Sequence, residues 1–261
     1  MNLFRRLQLK IQREAHILAS RGQTVSLEDA LRQTHSLAVP AGRTISTGSR
    51  LHNSYLAQAL AHEELGTWAL DFQAVDFLER EIRACRPKAI LEFGTGISTI
   101  CFARFMSETA DAPQPCVFSI EQNIWQVEKS REQLIALGLD PYVRILHAPL
   151  KPQVIEGLET ECYDLPEDRL QEFLAGARPD FIIVDGPCGD GTVRFGTLPL
   201  IQNHAAPGAK FYLDDAFRPE ELDVAMRWST LPTLSLSGLR KIGKGILTGQ
   251  FVARAVSETS R

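Results

Sequence analysis

Between residues 89 and 213, five short apolar runs alternate with longer stretches of mixed polarity: Ala89–Phe93, Cys116–Ile120, Val143–His147, Phe181–Val184 and Lys210–Leu213. Strands this short and this apolar are buried on both faces. Most of the stretches between them are helix-compatible, so the pattern predicts a parallel sheet covered by helices on each side. Two further runs, Pro232–Leu236 and Gly245–Val252, suit an antiparallel edge pair. Ahead of the sheet, Phe72, Val75, Leu78 and Ile82 recur at steps of three and four, which predicts a helix over Asp71–Cys85 ended by Pro87. The expected fold class is α/β: a Rossmann-like, mostly parallel sheet with helices on both faces, preceded by an N-terminal helical segment.

That segment, residues 1–64, stands apart from the domain expected over residues 65–261. Leu3, Leu7, Ile11, Ile17 and Leu18 fall at helical spacing among Arg5, Arg6, Lys10 and Arg13, which predicts an amphipathic helix with a basic face. The basic face suits either an anionic membrane or partner surface, or plain solvation. Ser26, followed by Glu28 and Asp29, is placed to cap a second helix running past Leu31, and Val39–Asn53 has the composition of a loop. The apolar side chains of the first helix need a surface, so the segment is expected to pack on the domain or on a second subunit, giving a homo-oligomer.

Composition narrows the function classes. With 28 basic and 32 acidic residues the net charge is −4, which gives no general attraction to a nucleic-acid backbone. No run approaches the roughly 18 apolar residues of a membrane span, and the first 22 residues read as no signal peptide. Five cysteines, with no C-x-x-C pair, argue against a disulfide framework or a structural zinc site, so a reduced, cytoplasmic protein is expected.

Chemistry gathers at the strand ends. The first strand runs into Glu92-Phe93-Gly94-Thr95-Gly96-Ile97-Ser98-Thr99, where two glycines permit a tight strand-to-helix turn that a ligand can approach closely. Alone, that is equally a plain turn. The second strand stops at Glu121, 27 residues after Gly94, where a nucleotide-binding sheet places the acid that accepts from ribose hydroxyls. Together these residues resemble the cofactor signature of the class I S-adenosylmethionine-dependent methyltransferases. The resemblance covers roughly residues 65–255 and implies that Glu92, Gly94, Thr95, Gly96, Ser98 and Thr99 surround the cofactor's methionine end. It further implies that Glu121 holds the ribose, and that His147 and Ala148, within Leu146–Leu150, border the adenine. Ser98 stands where many members have a third glycine.

The fourth run ends in Asp185-Gly186-Pro187 and the fifth in Asp214-Asp215. Both belong at the carboxyl edge of the sheet, where ligand crevices lie. Carboxylates brought together there repel one another unless a proton or a cation joins them, and hard oxygen donors favour Mg²⁺, Mn²⁺ or Ca²⁺ over zinc. The placement resembles the metal-dependent O-methyltransferases of the catechol and macrolide-sugar types. The wording around the acids is closest to bacterial enzymes of sugar and polysaccharide clusters. That resemblance implies metal ligation by Asp185, Asp214 and Asp215, with Asp185 also near the cofactor. The lysine that often follows the fourth-strand acid by three residues is here Cys188. Asp185 and Asp215 are candidate proton acceptors, and His147 and His204 could each serve as a general base, while each acid also suits helix or turn capping and both histidines suit structural roles.

Arg194 and Arg218 suit an anionic substrate, a clamp on the acids or surface pairing, and Trp68 and Trp125 suit the pocket rim or the core. The reading that follows is methyl transfer from S-adenosylmethionine to a hydroxyl of a sugar, glycan or small metabolite, helped by a divalent cation. The alternatives are a non-catalytic cofactor-binding or assembly subunit and a nicotinamide-dependent oxidoreductase on a related fold.

Overall fold

The computed structural model describes residues 24–27, 29, 70, 72–109 and 114–252. The expected helix over Leu3–Ser20 and the loop over Val39–Asn53 lie outside these residues, as does Trp68.

Five strands form the parallel centre: β2 (Ile90–Phe93), β3 (Val117–Glu121), β4 (Val143–His147), β7 (Phe181–Val184) and β8 (Lys210–Leu213). Each matches an apolar run to within one residue at either end. Antiparallel to β8 lies β10 (Ile246–Phe251), followed by β9 (Leu234–Arg240) and then the two-residue β1 (Thr24–Val25). The strand order is β1-β9-β10-β8-β7-β2-β3-β4. The expected edge pair is therefore present, but β1, from the segment set apart in the sequence, covers its outer edge. Ser26 follows β1 and accepts the amide of Asp29 at 3.0 Å, as a capping residue does.

Alternate strand residues face opposite cores because side chains along a strand have period two. Ile90, Val117, Phe181, Ile183 and Tyr212 pack toward α1 (Phe72–Cys85) and α2 (Ile97–Ser107). Leu91, Phe93, Phe118, Ile120, Ile182, Val184, Phe211 and Leu213 pack toward α4 (Glu167–Leu174), α5 (Thr197–Ile201) and α6 (Pro219–Trp228). Helix α3 (Ile124–Ala136) joins α2 through Leu134, Ile100 and Ala103. The central strands β2, β3 and β7 are thus buried from both sides, the arrangement the apolar runs required.

No strand signal marks the hairpin β5 (Leu150–Ile155) and β6 (Leu158–Tyr163), which among the described residues pairs with itself alone. Lys151, Glu159 and Glu161 are exposed on it together with Pro152 and Val154, so no uniform apolar run marks it. Among the described residues, no helix is long and apolar enough to cross a membrane, and the five cysteines are free thiols.

Parallel strand order reverses between β2 and β7, since β3 and β4 follow on one side while β7 and β8 lie on the other. In open α/β sheets a crevice forms at the carboxyl end of that switch.

Candidate active site

Ladder hydrogen bonds continue past the strand ends and fix the turns that carry the candidate residues. Gly94 donates to the Ile120 carbonyl at 2.8 Å, Asp185 to Phe93 at 3.0 Å, Asp214 to Val184 at 3.0 Å and Ala148 to Glu121 at 2.8 Å. Four strand-end turns are thereby held at one edge. At the switch two of them touch: a Cβ on Gly94, whose φ is +93°, would lie 3.0 Å from the Gly186 nitrogen. A Cβ on Gly186 would lie 2.9 Å from the Gly94 Cα and from the Tyr163 hydroxyl. Both positions therefore require glycine, one for conformation and both for approach.

On the β3 side, the Glu121 carboxylate ties the glycine turn to its own strand. One oxygen accepts the Thr95 amide at 2.8 Å and the other the Asn123 amide at 2.7 Å. Each oxygen keeps a second lone pair for a further donor. Burial raises the Glu121 pKa, and the Thr95 and Asn123 amides act against that rise. Across the ladder from Glu121 stands His147, whose Nε2 lies 3.0 Å from the Gln122 carbonyl. His147 sits three strand positions from β7, so the fold groups it with Glu121 rather than with the acids. His204 instead pairs with Glu167 at 2.7 Å.

Glu92 points from β2 toward α2 and is fully buried. Its Oε2 accepts from the Thr99 hydroxyl at 2.5 Å and the Ser119 hydroxyl at 3.1 Å, while Oε1 has no partner. An orphaned buried carboxylate oxygen beside a glycine turn is the feature a cationic amine would satisfy. Burial pushes the Glu92 pKa up to about 7, against the lowering effect of the Ser98, Thr99 and Ser119 hydrogen bonds.

This shift sets a pH dependence. From pH 4.5 to 7 the folded protein holds a proton that the unfolded chain releases, so stability contributed by neutral Glu92 is lost as pH rises through 7. The displacement corresponds to about 3 kcal/mol at most. Chemical denaturation of ligand-free wild type and Glu92→Gln at pH 5 and pH 8 is expected to show the variant gaining relative stability at the higher pH. A difference independent of pH would contradict the assigned ionisation.

On the other side of the switch, Asp185, Asp214 and Asp215 each offer an oxygen within 4.8 Å of the others. Asp215 adopts φ +57°, a left-handed conformation that Asp tolerates better than most residues and that turns its side chain back toward its neighbours. Burial, followed by repulsion from Asp214, raises the Asp185 pKa well above the usual carboxylate range.

Among the described residues, Arg194, Arg218 and Lys244 answer these acids. Arg194 is buried and lies 3.6 Å from Asp185, 3.8 Å from Asp215 and 3.5 Å from Glu221. Its guanidinium also donates to the Asp185 carbonyl at 2.7 Å and the Asp214 carbonyl at 3.1 Å. Burial opposes the Arg194 charge, and the surrounding carboxylates, Glu221 foremost, more than restore it. Arg218 pairs with Asp215, and Lys244 from the β9–β10 turn approaches Asp215 to 3.4 Å and Asp214 to 3.9 Å. Arg194 and Arg218 are thus clamps on the acids. Sequence proximity hinted at both arginines; Lys244 carried no such signal.

A cavity of about 60 Å³ opens beside the cluster, lined by residues including Pro187, Cys188, Val193, Arg194, Arg218 and Glu221. The Gln122 side chain bridges the Glu121 and acid sides: its amide donates to the Cys188 carbonyl at 2.9 Å and accepts the Cys188 amide at 2.8 Å. Trp125, expected by default in the core, is 77% exposed at the start of α3.

No protein-family model and no curated protein matches the chain. Solved structures do. An O-methyltransferase from Bacillus cereus in complex with S-adenosylhomocysteine is similar with TM-score 0.55 at 18% identity, covering 79% of this chain and 94% of that one. A methyltransferase from Podospora anserina with bound S-adenosylhomocysteine gives 0.54 at 13% identity, over 92% of this chain and 93% of that one. A Geobacter sulfurreducens methyltransferase gives 0.51 at 17% identity, covering 88% and 98%. At these identities the likeness establishes the Rossmann-like α/β fold alone.

Proposed function

We propose that the chain transfers a methyl group from S-adenosylmethionine to an acceptor hydroxyl. The observation that carries this reading is the meeting, at one switch point, of a glycine turn tied to Glu121 with a cluster of three carboxylates. Glu121 retains lone pairs for ribose hydroxyls, and the orphaned Glu92 Oε1 suits the cationic end of the methionine group. The fold's likeness to methyltransferases supports the same cofactor.

The methyl group of a sulfonium is already activated, so the protein's task is alignment and proton removal. The acceptor oxygen forms a bond to the methyl carbon as the carbon–sulfur bond breaks, leaving S-adenosylhomocysteine, and the hydroxyl proton passes to a base. Asp185, made more basic by burial, and Asp215 are the acids suited to that role, and Arg194, which approaches both, lines the adjacent cavity. His147, held on the Glu121 side, suits the cofactor contact better.

Mg²⁺ or Mn²⁺ fits the cluster in donor type and spacing, because all three ligands are hard carboxylate oxygens. Asp185, Asp214 and Asp215 would hold the ion, which when bound stabilises the oxyanion developing on the acceptor. The adjacent cavity sets Arg194, Arg218, Glu220 and Glu221 among Pro187, Val193 and Val224, a mixed lining that suits a sugar, glycan or small hydroxylated metabolite.

Calorimetry tests the cofactor. Wild type is expected to bind S-adenosylmethionine and S-adenosylhomocysteine but not a nicotinamide dinucleotide. Glu121→Ala removes charge-assisted ribose hydrogen bonds worth about 1.5–3 kcal/mol each, so affinity should fall at least tenfold. Unchanged affinity in a folded Glu121→Ala protein would sink the assignment. Release of S-adenosylhomocysteine in a screen of sugar, phenol and small-acid acceptors separates an enzyme from a non-catalytic subunit.

A further inference from the structure

We propose that Lys244 is a tethered competitor for the cation site: its ammonium neutralises Asp214 and Asp215 when no metal is bound and must be displaced for a divalent ion to enter. The inference rests on the reading that the acid cluster takes such an ion.

The turn that carries Lys244 is built to aim it. Gly243 and Gly245, on either side, adopt φ +52° and +96°, and the Gly245 amide closes the turn on the Ile242 carbonyl at 2.8 Å. The Gly245 carbonyl accepts the Ala216 amide at 3.0 Å, so the turn is fastened to the residue that follows Asp215. A Cβ on Gly245 would lie 2.3 Å from the Phe217 ring, and only glycine allows this approach. The backbone of the β9–β10 turn is thereby laid against the acid-bearing segment, with the lysine at its apex.

At the end of the side chain the ammonium is buried yet loosely held. Nζ lies 3.4 Å from Asp215 Oδ1 and 3.9 Å from Asp214 Oδ2, and no hydrogen bond closes on it. Arg194, by contrast, is fixed by short bonds to two carbonyls and faces Asp185, Asp215 and Glu221. Of the three cations, Lys244 has the flexible stem and the fewest fixed contacts. A divalent ion requires carboxylate oxygens at about 2.0–2.6 Å, closer than the ammonium sits. A unit charge left within a few ångströms of that ion would be repelled strongly at the low effective dielectric of a buried site. Lysine and metal therefore exclude one another, and Lys244 weakens metal affinity.

Mn²⁺ binding to the full chain, followed by the paramagnetic signal of the free ion, tests this without an acceptor. Lys244→Met is expected to bind Mn²⁺ at least tenfold more tightly than wild type, and Lys244→Arg to remain weak. Lys151→Met, which removes a charge from the β5–β6 hairpin, should match wild type, and adding Asp214→Asn to Lys244→Met should abolish the gain. S-adenosylhomocysteine affinity, unchanged in Lys244→Met, reports that the variant is folded. A second measurement needs no variant: acetylation of Lys244 in wild type, read by mass spectrometry, should rise several-fold with Mn²⁺ while that of Lys151 does not. Equal Mn²⁺ affinity in wild type and Lys244→Met, with no change in acetylation, overturns the role of Lys244 and leaves the metal reading standing. Absence of Mn²⁺ binding from every form overturns the metal reading and this inference with it.

Discussion

Replacing Arg194 by Met is expected to destabilise the protein by about 4 kcal/mol near pH 7.5, in the range measured when one partner of a buried ion pair is removed. The apolar stem of Met approximates the volume of the lost one, so the effect reports the charge. Without the guanidinium, Asp185, Asp215 and Glu221 lose the cation that each approaches within 3.8 Å, and the Asp185 and Asp214 carbonyls lose a donor. The sign of the pH dependence follows. With Arg194 gone the acid pKa values rise further, the folded state takes up protons more readily than the unfolded one, and the penalty shrinks toward pH 5. Arg194→Lys keeps the charge but not the planar fork of donors and should fall between the two. Urea denaturation at both pH values measures these differences. A loss below about 1 kcal/mol for Arg194→Met at pH 7.5 would mean that the clamp contributes little beyond an exposed pair.

Exhaustive chelation should abolish methyl transfer, and Mg²⁺ or Mn²⁺ should restore it. Asp214→Asn removes one of three charged ligands at a site already contested by Lys244, so metal affinity and turnover should both fall by at least tenfold. Affinity for S-adenosylhomocysteine should stay within about twofold, because the contacts expected for the cofactor lie on the β2, β3 and β4 turns and at Asp185, and none of them is Asp214. Calorimetry with the cofactor product, a metal-binding titration and an acceptor turnover assay separate the three quantities. If methyl transfer survived complete chelation unchanged, the acids would act as bases or as structural groups alone. The cofactor assignment would be untouched by that outcome, since it depends on Glu121 and the glycine turn.

The sheet was legible because its signal is local. Strands β2, β3 and β7 are apolar runs of four or five residues with both faces buried, and helices of either side take alternate side chains. The site was legible in part for the same reason: parallel strands put their carboxyl ends at one edge, so Gly94, Glu121, Asp185 and Asp214 could be brought together from the order of elements alone. Exposed, self-paired strands such as β5 and β6 left no comparable pattern, and Trp125 shows that residue type alone does not decide burial.

What the amino-acid sequence determined by itself was therefore the period-two burial, the strand-end turns and the chemical types of the acids. Tertiary structure alone decided which groups answer them. Gln122 meets Cys188 across 66 residues, Arg194 reaches acids from three segments, and Lys244 arrives from a turn fastened beside Asp215. A hydrophobic run announces its burial through neighbours in the chain, but a charged side chain in a loop has no period. Its partner is fixed by distance in space, and only the folded backbone sets that distance.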